Sequence, residues 1–137
     1  AVYTPADGSW AYYYYPLDTA VTGWVGLSEI TPLPDGGFMV IERDNQQGPA
    51  AAIKRLYRFE LPEVAPAPEG GSFPLLSKTL VRDLLPDLQR TNGWVVDKVE
   101  GAAVNARGKT FVVTDNDGID DATGETRFLR FRGLFED

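Results

Sequence analysis

Two glutamates and two Asp-Asn pairs recur along this chain at one interval. Glu29 and Glu100 stand 71 positions apart (100 − 29), and Asp44-Asn45 and Asp115-Asn116 repeat at the same spacing (115 − 44). Each Asp-Asn follows a run of strand-forming residues, Phe38-Met39-Val40-Ile41 in one case and Thr110-Phe111-Val112-Val113-Thr114 in the other. Glu29, Glu42, Asp44, Glu100, Asp115, Asn116 and Asp117 thus form a set of hard oxygen ligands at strand ends. Such a set, with no imidazole or thiolate, selects Ca²⁺, and Mg²⁺ less readily, over zinc. Around a divalent ion it could neutralise a phosphate and generate a nucleophilic water. Arg43 and Lys98 flank the repeated acids and are the preferred substrate-binding cations, ahead of Lys54 and Arg107. A plainer reading stays open: Asp115-Asn116-Asp117-Gly118 as a turn bonded to its own backbone, and Glu100 as an acceptor of backbone N–H groups.

Two tempting motifs fail. Read as a calcium-binding helix-loop-helix from Asp115, the chain has Ile119 at the fifth position and Asp120 where glycine is required. Gly26-Leu27-Ser28-Glu29-Ile30 begins like a nucleophile elbow but lacks its closing glycine, and the chain holds no histidine to activate Ser28. With neither histidine nor cysteine, imidazole bases, thiolate nucleophiles and disulfides are excluded, and no zinc or haem site is expected.

The elements that must carry these residues are short. Fourteen glycines and ten prolines break 137 residues into many pieces. The 43% hydrophobic content fits one globular unit, and a net charge of −7 argues against a nucleic-acid partner. No apolar run is long enough to span a bilayer. The run Trp10 to Leu17, with four consecutive tyrosines, predicts a strand that uses both faces for sheet packing. Strands are then expected over 26–33, 38–41, 53–61 and 75–83, with the continuous apolar run at 38–41 buried on both faces. Leu84 to Leu88 reads as a helical turn. A second unit repeats the order with strands over 95–104, 110–114 and 125–132, so the repeat units are about 24–83 and 95–132.

Four antiparallel strands and then the same order begun again read as blades. The fold class is therefore all-β, with antiparallel four-stranded blade-like sheets forming a partial β-propeller of about two to three blades. A single sandwich sheet is the other architecture two repeats allow.

Gly26-Leu27-Ser28-Glu29-Ile30, Leu33-Pro34-Asp35-Gly36-Gly37-Phe38-Met39-Val40-Ile41-Glu42-Arg43, Lys54-Arg55-Leu56-Tyr57-Arg58-Phe59 and Lys98-Val99-Glu100-Gly101-Ala102 with Asp115-Asn116-Asp117 carry a further signal. Over these segments, from about Trp10 onward, the chain resembles the C-terminal part of the phytase-like family described as having esterase-like activity of phytase. The resemblance implies a bacterial exported β-propeller, hence a periplasmic or extracellular location. It also implies a metal-assisted phosphoesterase or esterase acting on a phosphorylated or ester small molecule. The family's propeller is much longer than this chain, so residues 1–137 are expected to be one all-β unit of a larger propeller. Alone, that unit is expected to be inactive and to self-associate, or to be completed by N-terminal blades. The alternative function is a non-catalytic propeller scaffold that binds a ligand or a protein.

Overall fold

A computed structural model of the chain describes residues 1–116 and 126–135. The described residues are almost wholly β. A hairpin of β1 (Val2–Thr4) and β2 (Ser9–Ala11) precedes a four-stranded sheet of β3 (Val25–Pro32), β4 (Phe38–Asp44), β5 (Lys54–Phe59) and β6 (Lys78–Asp83). A short helix, α1 (Leu85–Gln89), leads to a three-stranded sheet of β7 (Lys98–Val104), β8 (Thr110–Asp115) and β9 (Phe128–Phe131). Both larger sheets are antiparallel meanders in chain order. These open blade-like sheets are what part of a propeller contains.

The two repeat units meet through corresponding positions. Ser28 Oγ donates to the Val99 carbonyl at 2.7 Å and Thr31 Oγ1 to the Ala102 carbonyl at 3.1 Å, each contact spanning 71 residues. The leading strands β3 and β7 therefore lie side by side with repeat-related residues facing each other. Each carries an irregularity near the same place, between Leu27 and Glu29 in β3 and between Val99 and Gly101 in β7. Such bulges bend a strand and re-aim its side chains. Gly101 is required here by space, because a Cβ on it would sit 2.6 Å from Cγ1 of Val113.

The buried run in β4 behaves as the sequence predicts. Met39, Val40 and Ile41 are at most 1% exposed, so both faces of this central strand are covered. Met39, Ile41 and Leu56 join Val99, Val112 and Phe131 of the second sheet, with Leu84 and Leu88 filling the space between. The helical turn expected at 84–88 thus supplies an apolar plug, Leu84 and Leu88 sharing one face at i, i+4. On the opposite face of the first sheet, Val40, Tyr57 and Phe59 pack with Leu76, Tyr13, Tyr15 and Phe38.

The tyrosine run departs from expectation. It is not a strand but an extended segment held by two isolated bridges, Tyr12 with Ala67 and Tyr14 with Leu75. Alternation of its side chains survives: Tyr13 and Tyr15 enter the aromatic core while Tyr14 is exposed. Its partners come from the Pro-rich connection, too irregular to form a ladder, so the segment covers the sheet without joining it.

Candidate functional site

Glu42 and Asp44, two residues apart on β4, are both buried, and each enters its own cluster of charges. Glu42 is fully buried. It accepts from the Asp18 backbone N–H at 2.6 Å, Tyr15 OH at 3.0 Å and Lys78 Nζ at 2.7 Å. Asp18 in turn accepts from Lys78 at 2.8 Å, Tyr57 OH at 2.7 Å and Arg55. The Lys78 ammonium also lies 4.1 Å from the Tyr57 ring centroid. Two carboxylates thus face two cations and close the aromatic side of the first sheet.

Asp44 organises the second cluster. Its carboxylate accepts from the N–H groups of Ala52 and Ile53 at 2.7 and 2.9 Å and pairs with Lys54 Nζ at 2.9 Å. Lys54 is fully buried and also donates to the carbonyls of Asp44 and Gln46. From there the network crosses to the second sheet. Asp97 receives Lys54 at 3.4 Å and Arg43 at 3.3 Å, and Glu100 receives Arg43 at 2.6 Å. The cluster binds β4 and β5 to β7. Burial pushes the Lys54 ammonium below its usual range against the pull of Asp44 and Asp97.

Both clusters make stability acid-sensitive. Burial works to raise Asp18 and Asp44, but hydrogen bonds from Lys78, Tyr57 and Arg55 on the one, and from Lys54, Ala52 and Ile53 on the other, hold both below 3.8. A carboxylate depressed in the folded state stabilises it fully above the unfolded value, and that contribution fades as pH falls through the folded value. The melting temperature is therefore expected to hold from neutrality to about pH 5 and to fall steeply below about pH 4. Asp18→Asn should flatten the acid limb, which differential scanning calorimetry across pH 2–7 would show.

The structure divides the repeated acids. Glu42, Asp44 and Glu100 are each engaged by lysine or arginine, and no three described acidic residues are grouped so as to hold a metal ion. As arranged, these three carboxylates are compensated by Arg43, Lys54 and Lys78 and do not come together as one ligand group. Asp115 ends β8 opposite Lys98 of β7, and Asn116 follows it. Asp117 lies outside the described residues. Of the two preferred cations, Arg43 is committed to Asp97 and Glu100 and lies 5.6 Å from the Trp24 ring centroid, whereas Lys98 is half-buried at the start of β7.

Glu29 differs. Its carboxylate accepts from the neighbouring Ile30 N–H at 2.9 Å, and it lines a cavity of about 610 Å³ on the aromatic side of the first sheet. The walls include Tyr13, Leu27, Phe38, Val40 and Phe59, so a single carboxylate stands among largely apolar side chains. The bulge beside Ser28 sets its direction.

Asp18, Lys78 and Asp97 were not anticipated, since each joins its cluster across a long stretch of chain and no local pattern marks it. Lys54 opens β5 in a run that also holds Arg55 and Arg58, so residue type did not mark it as the fully buried cation.

Neither the curated proteins nor the solved structures gave a match. A family model, phytase-like and described as "Esterase-like activity of phytase", matches residues 1–118, which include both ion clusters and the Glu29 cavity. The chain belongs to this phytase-like family.

Proposed function

We propose that this chain is an esterase of small molecules with an apolar body, seated in the cavity beside Glu29. Glu29 acts as the general base that takes a proton from the attacking water. The observation that carries this reading is the contrast among the repeated acids: Glu42, Asp44 and Glu100 are paired with cations, while Glu29 faces an apolar cavity with no cation partner among the described residues. The family assignment supports ester chemistry, and the apolar walls favour an acyl or alkyl group over a bare phosphate. Glu42, Asp44 and Glu100 are held by cations, which leaves Glu29 and water to carry the hydrolytic step. This departs from the expectation that the unit alone is inactive: the residues the reading uses, Glu29 and the apolar walls, are all among those described.

A series of p-nitrophenyl esters of increasing acyl length tests the seat directly. Burying each added methylene contributes about 0.8 kcal/mol, so kcat/KM should rise about fourfold per methylene until the cavity is full. No turnover, or a rate indifferent to acyl length, would overturn the reading. The non-catalytic scaffold remains the second reading, favoured by the structural use of Glu42, Asp44 and Glu100; it predicts ester binding without hydrolysis.

A further inference from the structure

Arginines gather where α1 approaches the outer strands of the two sheets. A groove of about 590 Å³ there is lined by Arg82, Asp87, Arg90, Thr91, Arg130 and Arg132, with Leu129 and Phe131 as its apolar part. Arg82 is fixed: its Nε and Nη2 reach the two Asp87 oxygens at 2.7 and 2.8 Å, and its guanidinium lies 4.5 Å from the Phe131 ring centroid. That fork cancels the Asp87 charge. Arg90, Arg130 and Arg132 are exposed and form no ion pair with the described residues. Arg130 lies in β9 and Arg132 just past its end, and both line the groove.

Three guanidinium groups that the described residues leave unpaired stand around one groove and repel one another, in a chain whose net charge is −7. Carboxylates are plentiful in this sequence, yet the described ones leave these three arginines unpaired. We propose that the groove is an anion site for the phosphate group of a small molecule, gripped by Arg90, Arg130 and Arg132 with the Thr91 hydroxyl as a further donor. Guanidinium matches phosphate oxygens two at a time, and Thr91 can donate where the arginines leave a lone pair. An extended nucleic acid does not suit the site, because the acidic remainder of the surface opposes a long polyanion. The groove shares no residue with the Glu29 cavity, so its fate and that of the ester reading are separable.

The test is calorimetric titration of the 137-residue chain with inorganic phosphate, matched in ionic strength by sodium chloride. One saturable site is expected, weakened at least about tenfold in an Arg130→Gln/Arg132→Gln variant, since losing charge-assisted hydrogen bonds costs about 1.5–3 kcal/mol. Both residues are exposed, so the variant's melting temperature should match that of the unaltered chain. An Arg90→Gln variant supplies an independent check. Absence of saturable heat, equal heat from chloride, or unchanged affinity in the variants would overturn the proposal and leave the arginines as charges that protect a sheet edge.

Discussion

Lys54→Met is expected to destabilise the protein by about 3–5 kcal/mol, the usual cost of leaving a buried charge without its partner. Methionine keeps most of the aliphatic stem, so the loss reports the ammonium and not a cavity. The ammonium serves Asp44, Asp97 and the carbonyls of Asp44 and Gln46 together. Removing it leaves Asp44 with only N–H donors at a site where it is 2% exposed. Urea denaturation should show the loss, with a fall in melting temperature of roughly 10 °C or more. Arg58→Met makes the contrast: its bridges to Asp35 and Glu60 are at the surface, and its loss should cost under about 1 kcal/mol. A Lys54→Met variant within 1 kcal/mol of the unaltered protein, on the scale of a surface pair, would contradict the inter-sheet clasp.

What could be read from the sequence was local or periodic. The apolar run at 38–41 announces a strand covered on both faces, and the 71-residue interval announces paired units whose leading strands touch at corresponding positions. The helical turn at 84–88 was also legible, because Leu84 and Leu88 stand one turn apart. The β1–β2 hairpin was not, since three-residue strands with mostly exposed side chains leave little hydrophobic pattern. The tyrosine run misled for the opposite reason. Strand propensity was present, but the Pro-rich partner could not offer a continuous ladder.

The acids show where sequence stops informing. Residue type and spacing marked Glu29, Glu42, Asp44 and Glu100 alike as oxygen ligands. Their difference lies in what the fold brings to them: Lys78 reaches Glu42 from 36 residues away and Arg43 reaches Glu100 from 57, while Glu29 receives no such cation. Charge compensation is a tertiary property, and nothing within a few positions of these acids encodes it. Strands 71 residues apart touch at corresponding positions, while their carboxylates meet different partners.

That division makes Glu29→Gln the most direct measurement. Glutamine keeps the size of the side chain and an oxygen to accept from Ile30, so the fold should be unaffected, with the melting temperature held within about 2 °C. It cannot take a proton from water, and general-base catalysis contributes typically 10²–10⁴-fold, so kcat/KM for the best p-nitrophenyl ester should drop by at least about 100-fold. Steady-state kinetics and a thermal melt on one preparation give both numbers. A lost rate with an unchanged melt is the result this account predicts. Undiminished hydrolysis would remove Glu29 from the chemistry, and a melt that falls together with the rate would place it with Glu42 and Asp44 among the carboxylates that hold the sheets together.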